Sequence, residues 1–483
     1  MKNKLILILF IATTVSSCSK WVDVNDNPNN PTNVPPGTIL PTTTIGIAFA
    51  ASNELGRATS VLVQYNAGAA NQVLQEDRFD VDNLLDNQWS FEIYGNTLNN
   101  LQILIEENED VNPAYAAVAK LEKAYILSVA TDLWGDVPYS QAGQGLRFPQ
   151  PRFDSQEDIY LGNSAEGIQS LFDLVKEALA DLDEASPLKP GNDDLVYRGD
   201  LAKWKRMANT LLLKFAMTIS NKNPALAKST IESVLTGNNY INANNLDFEV
   251  PFGTTQGNQN PHYSFNNVNR TTDLMVSIRF LNLMNSLNDN VRLAKLYTKP
   301  AANFVGLENG SAAVTTPPAA ATRSKYNTYV TGVNGEAPVR LLTNFQVQFI
   351  LAEAALILGT PGDANTYYQA GIRASMQKVG MTTAEIDNYF TANPAVVTLA
   401  GTNEQKRQQI ITQKYIAWVG NAIEAFNDYR RTGYPALALP QNTQGDNPNV
   451  IPRRMPYTPN EIARNPNAPN PRPLTDVKVW WAL

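Results

Sequence analysis

Apolar residues recur at helical steps of three and four through much of the chain, and this spacing predicts a mainly α fold. Val118, Leu121, Tyr125, Val129 and Leu133 form one such run, with Asn112 and Pro113 marking its start. Ile168, Leu171, Phe172, Val175, Leu179 and Leu182 form a second, closed by Ser186 and Pro187. A third passes through Leu201, Trp204, Ala208, Leu211, Leu212, Phe215 and Ile219, with Asp200 as its candidate cap. The pattern returns at Phe345, Phe349, Ala352 and Leu356, at Tyr368, Ile372, Met376 and Val379, and at Ile411, Tyr415, Trp418, Ala422 and Phe426. Gly359, Thr360, Pro361, Gly362 and Asp363 make a short turn between the first two of these runs. The pair reads as a helical hairpin in which Ala352, Ala354 and Ala355 permit close helix approach. Hairpin length and small residues predict a tetratricopeptide-like right-handed superhelical scaffold, although no strict repeat is visible. No segment offers repeated period-two strands.

Two stretches break the helical pattern and make the second half loop-rich and irregular. Residues 238–272 are rich in Asn, Gln, Gly and aromatics, including Tyr240, Phe248, Phe252, His262, Tyr263 and Phe265. Residues 301–333 carry Thr315, Thr316, Pro317 and Pro318, then Tyr326 and Tyr329. Long loops inside a folded body are often functional, so both are read as ligand-facing insertions. The tail from Pro435 is Pro- and Asn-rich, and its Trp480 and Trp481 are expected to dock on the body.

Composition narrows the chemistry. Among 483 residues, 43% are hydrophobic and 17% charged, which is globular, and the net charge of -7 disfavours a polyphosphate partner such as nucleic acid. The chain has one cysteine and one histidine. A catalytic His262 needs an orienting carboxylate and a nucleophile, and no Gly-x-Ser-x-Gly elbow occurs. Zinc sites draw on several His or Cys ligands, so no metal or cofactor is expected. Asp23, Asn25 and Asp26 resemble part of an oxygen-ligand calcium loop but lack its Gly and distal Glu, and Asx turns are the preferred account of them.

The cysteine has a distinctive position. Lys2 and Lys4 precede an apolar stretch from Leu5 to Val15, followed by Ser16, Ser17 and Cys18. This is the layout of a secretory leader, too short for a spanning helix of ~20 residues. Val15, Ser16, Ser17 and Cys18 resemble the lipobox of bacterial lipoproteins, in which the cysteine is acylated and becomes the first mature residue. The alternative is an ordinary leader with an incidental cysteine. The expected organisation is a signal peptide over residues 1–17, a lipidated tether over 18–38 and one helical domain over 39–483.

Several segments taken together resemble the SusD/RagB family of nutrient-binding outer-membrane lipoproteins of Bacteroidetes. They are the lipobox, the Asn- and Pro-rich tether at residues 23–31, and the run Leu133, Trp134, Gly135, Asp136, Val137, Pro138, Tyr139, Ser140 at a helix end. Residues 351–355, the stretch 413–431 and the run from Arg453 to Glu461 complete an ordered series over nearly the whole chain. The resemblance implies a four-unit tetratricopeptide-like scaffold, lipid-anchored on the outer face of the outer membrane. It further implies a non-catalytic role: capture of an oligosaccharide or peptide and delivery to a SusC-like TonB-dependent transporter barrel. Around Ala422, Ile423, Glu424 and Ala425 the chain departs from the family's arginine-rich helix end, so no residue role is carried over there.

A sugar site needs flat aromatic faces to stack on a pyranose and Asn, Asp or Arg side chains to bond its hydroxyls. On that basis the candidate ligand-binding residues are Asp77, Arg78, Trp89, Asn260, Tyr263, Tyr326 and Tyr329. Glu76, Asp77, Arg78 and Asp80 read as a loop before a helical segment bearing Trp89 and Tyr94. Trp89 fits a ligand platform or the core equally, whereas Trp134 beside Gly135 and Pro138 reads chiefly as core at a helix end. A surface glycoside hydrolase remains the competing reading, because it needs only two carboxylates facing one cleft.

Overall fold

In the computed structural model, which describes residues 34–483, the chain enters on a helix, α1 (Pro36–Ser52). Pro36 sits in the first turn, where its missing N–H is no loss. Residues 36–38 of the expected tether are therefore helical. The leader, Cys18, the rest of the tether and the Asp23, Asn25, Asp26 run lie outside the described residues. Next come α2 (Glu54–Leu62) and α3 (Asn71–Asp77), so that Glu76 and Asp77 end a short helix rather than occupying a loop. A π-helical segment (Gln88–Leu98) then continues directly into α4 (Asn99–Asn108).

The first periodic run becomes α5 (Pro113–Trp134), buried on nearly every side. It stops where Gly135 adopts φ 82°, a conformation that disfavours a side chain. The second run yields α6 (Leu171–Asp181), shorter than its periodicity because Ser170 caps it through the Asp173 N–H. Ile168 instead bridges to Asn163. The third is α7 (Leu201–Thr218), capped by Asp200 as expected, and α8 (Pro224–Gly237) follows. In the second half, α9 (Asn344–Ile357) and α10 (Ala364–Lys378) form the expected hairpin, capped by Thr343 and Asp363. Gly371 permits their close approach, since a Cβ there would lie 2.8 Å from the Phe349 ring. The periodic run from Ile411 to Phe426 is two helices, α11 (Asn403–Ala417) and α12 (Ala422–Thr432), because Gly420 at φ 105° turns the chain between them. A last short helix, α13 (Pro459–Arg464), lies in the tail.

The helices pack as neighbouring pairs, α4 on α5, α5 on α6, α7 on α8 and α9 on α10, with α11 against the last pair. This is the mainly α, tetratricopeptide-like arrangement anticipated from the pattern. Short antiparallel strand pairs stitch the irregular segments to it. β1 (Asn66–Gly68), β2 (Val137–Pro138) and β3 (Phe153–Asp154) are followed by β4 (Phe248–Val250), β5 (Leu274–Val276) and β6 (Val339–Leu342). They pair as β1 with β5, β2 with β3 and β4 with β6. Parts of both irregular insertions are thereby drawn inward. Phe248 packs 5.6 Å from Trp204 and 6.0 Å from Tyr125, and Tyr326 stacks 5.4 Å from Tyr297.

Many buried charged groups find partners in space. Lys120 of α5 pairs with Glu109 and Asp181, each at 2.9 Å, and with Glu177. Glu122 accepts from the hydroxyls of Thr43 at 2.7 Å and Thr44 at 2.6 Å. Asp132 accepts from Tyr160 at 2.7 Å, Asn427 at 3.0 Å and the indole of Trp481 at 2.9 Å. The tail therefore docks through Trp481, over whose ring lies the guanidinium of Arg430 at 4.9 Å. Arg431 makes two 2.6 Å bonds to Glu353, which also accepts from Arg407 at 2.9 Å. The arginines at the end of α12 thus hold helices together.

Candidate functional site

Beside the π-helical segment lies a cleft of about 330 Å³, within the size of small-ligand sites. Its lining combines the aromatic residues Trp89, Tyr94 and Phe148 and the prolines 138, 149 and 151 with the polar side chains of Ser90, Asn99, Asn460, Glu461, Arg464 and Asn465. The π turn has a local cause. A Cβ at Gly95 would lie 2.4 Å from the Ser90 carbonyl oxygen, so glycine leaves room for the wider backbone turn that sets Trp89 and Tyr94 on one wall. The opposite wall is α13, started by Pro459 and capped by Thr458 through the Glu461 N–H.

The two walls are tied together. The Trp89 indole N–H donates to Glu461 Oε2 at 3.1 Å, and Asn465 Nδ2 donates to Glu461 Oε1 at 2.8 Å. Asn465 also donates to the Pro151 carbonyl at 2.8 Å, and Tyr94 donates to the Pro138 carbonyl at 3.0 Å. Asn460 is bonded to Asp86. Glu461 is the one carboxylate on the lining, and both its oxygens are engaged. Among the described residues, no cluster of three or more His, Cys, Asp or Glu side chains is placed to hold a metal ion, and no helix is long and apolar enough to cross a membrane.

The seven residues singled out from the sequence are not brought together. Trp89 alone lines the cleft, at 1% exposure, with its ring packed 4.8 Å from Tyr94, 5.1 Å from Trp134, 6.2 Å from Phe153 and 6.0 Å from Tyr457. Asp77 is buried and accepts from the N–H of Gly68 at 3.0 Å, the N–H of Gly310 at 2.7 Å and Asn309 Nδ2 at 2.5 Å. Burial pushes its carboxyl up to about 7, against the pull of those three donors. Arg78 donates to the Asn442 carbonyl at 2.7 Å. Asn260 is buried, accepts from the His262 N–H at 2.8 Å and donates to the Ala337 carbonyl at 2.8 Å. Asn260 and Tyr329 share a void of only about 10 Å³, room for a water at most. Tyr329 lies 3.8 Å under the Arg340 guanidinium. Tyr263 is half-buried near Gly335, and Tyr326 bonds Asn66 in the interior. His262 shares a 2.9 Å hydrogen bond with the Gly420 carbonyl, and burial lowers its pKa to about 4. Sequence reasoning missed most of the cleft. Its trace was the run from Arg453 to Glu461, whose last two residues supply part of the far wall.

Over residues 28–458 the sequence matches the SusD-like family described as starch-binding, associating with the outer membrane. The chain belongs to this family. Solved structures agree with that assignment. A chitin-binding protein is 25% identical, with 93% of this chain and 100% of that chain aligned at a TM-score of 0.79. A SusD homologue from Bacteroides uniformis is 27% identical over 93% of this chain and 98% of its own, at a TM-score of 0.74. A chitin-binding SusD homologue from Flavobacterium johnsoniae, at 24% identity, 92% and 98% coverage and a TM-score of 0.75, shares the fold. No curated protein matches the sequence. The SusD-like assignment identifies the molecule as one of a family of glycan-binding proteins of the Bacteroidetes outer-membrane surface.

Proposed function

We propose that this SusD-like protein captures an oligosaccharide in the cleft between the π-helical segment and α13 and does not cleave it. The single observation that carries this reading is the composition of the lining: aromatic rings and prolines for sugar faces, amide and hydroxyl groups for sugar hydroxyls, and one carboxylate. Glycoside hydrolysis needs two carboxylates across the scissile bond, ~5 to 9.5 Å apart, and Glu461 has no acidic partner on the lining. The likeness to a chitin-binding protein makes N-acetylglucosamine oligomers the first ligand to try. The protein acts at the cell surface, held by acyl chains on Cys18, and passes its ligand to a SusC-like TonB-dependent transporter barrel.

Calorimetric titration with chitin and starch oligosaccharides tests the binding. We expect a Kd between about 1 µM and about 1 mM, corresponding to about -8 to -4 kcal/mol. Tyr94→Ala should weaken it about tenfold or more, as removal of a stacking face requires. Chromatography of the incubated glycan should recover it intact. Shortened products, or no binding of any glycan in a broad array, would overturn the reading.

A further inference from the structure

Four polar atoms sealed from solvent lack partners in one region next to Trp89: Arg57 Nε, Glu76 Oε2, Gln88 Oε1 and Glu92 Oε2. They belong to a cluster in which two carboxylates, Glu54 and Glu76, flank one guanidinium and a third, Glu92, lies close by. Arg57 Nη2 lies 3.3 Å from Glu54 Oε1 and 3.4 Å from Glu76 Oε1. Gln72 Nε2 donates to Glu76 Oε1 at 3.1 Å and also to Glu54, so one amide spans both acids. The Gln88 side chain faces both Glu54 and Glu92, and Glu92 Oε1 accepts from Asn53 Nδ2 at 2.7 Å. Exposure is 9% for Glu54, 8% for Arg57, 0% for Glu76 and 8% for Glu92.

Other charges do not relieve the imbalance. Asp77, beside Glu76 in α3, turns to Gly68, Asn309 and Gly310. His262 approaches from the insertion side behind Gly56, is bonded to Gly420 and is held neutral above about pH 4. The Phe265 ring covers Arg57 at 4.3 Å. Full ionisation would leave two net negative charges buried, which low-dielectric surroundings oppose strongly.

We propose that this cluster is a proton switch: with a proton bound it anchors the π-helical segment through Gln88 and Glu92, and loss of the proton loosens the wall that carries Trp89 and Tyr94. Burial, aided by repulsion from Glu76 and Glu92 and opposed by Arg57, pushes Glu54 up to about 7, and burial raises Glu76 and Glu92 as well. A carboxyl raised in the folded state contributes stability that is complete below its unfolded value of 4.5 and is lost as pH rises through about 7. Opening of the cleft wall therefore accompanies alkalinisation.

The test uses the full chain and needs no ligand. The thermal midpoint of the wild type should fall by about 2 °C or more between about pH 5.5 and about pH 8, and Glu54→Gln should remove much of that fall. Hydrogen exchange of the Gln88–Leu98 segment, corrected for the intrinsic rate, should accelerate several-fold over the same range in the wild type and not in the variant. Should Glu54→Gln fail to fold, Glu92→Gln answers the same question, since its amide oxygen still accepts from Asn53. Equal pH slopes in wild type and variants, or exchange in this segment indifferent to pH, overturn the switch; the unpartnered atoms would then be satisfied by buried water alone.

Discussion

Replacing Trp89 with alanine removes an indole that is 1% exposed and ringed by Tyr94, Trp134, Phe153 and Tyr457. Truncation of a buried tryptophan costs about 3–5 kcal/mol, because aromatic neighbours on several sides cannot all collapse into the vacated volume. Glu461 also loses the indole N–H donor. A hydrogen bond to a charged group contributes about 1.5–3 kcal/mol, partly recovered here by water from the open cleft. The sum, about 4–6 kcal/mol, is large against the ~5–15 kcal/mol that holds a typical domain. Trp89→Phe keeps most of the ring packing and loses the N–H, so its cost should stay near about 2 kcal/mol. Urea unfolding followed by circular dichroism measures both, provided the slope against denaturant is unchanged. A loss below about 1 kcal/mol for Trp89→Ala would refute the packing argument and make the indole a free-standing ligand platform. Binding measurements on the alanine variant therefore require a stability control, whereas Tyr94→Ala, at a half-buried ring, is the cleaner probe of the cleft.

Glu353→Gln should cost about 3–5 kcal/mol, since it leaves buried Arg407 without its carboxylate and Arg431 with Asp428 alone. Burial alone would raise Glu353, but Arg431 and Arg407 hold it down at about 2; its contribution is present above 4.5 and lost as pH falls through about 2, so the variant's acid-unfolding curve should lack that component. Gly46→Ala places a Cβ 2.2 Å from Thr97 Oγ1 and should destabilise by about 1–3 kcal/mol, with Thr97→Ala restoring part of the loss in a double-mutant cycle by thermal melting. Cys18→Ala should move the protein from the membrane fraction to the soluble fraction, because two or more acyl chains are what make such an anchor stable; retention in the membrane fraction would refute the lipid assignment.

The scaffold was legible because helical periodicity is local. Asp200, Ser170 and Thr343 stand where caps belong, and each bonds the N–H of a residue two or three positions on. The break at Gly420 was hidden because apolar residues keep their spacing across it, and only the positive φ ends the helix. The loops were harder. Asn- and Tyr-rich segments suit ligand contact or internal bonding equally, and Asp77, Asn260 and Tyr326 spend their polar groups on backbone and neighbouring side chains. The cleft joins Trp89 to Glu461, 372 positions apart, and no local pattern reports such a pairing.

By itself the sequence determined the mainly α class, the positions of most helices and the likeness to the SusD-like family, since these follow from side-chain spacing and from motifs a few residues long. Tertiary structure decided which aromatic residues are core and which border the cleft, because that depends on what packs against each ring. It likewise decided that Arg431 of α12 clamps Glu353 while Arg430 bonds the Asp132 backbone carbonyl, and that Glu54 and Glu76 share one guanidinium with Glu92 close by. Charge pairing and burial are set by distances between segments far apart in the chain, and only the folded backbone supplies them.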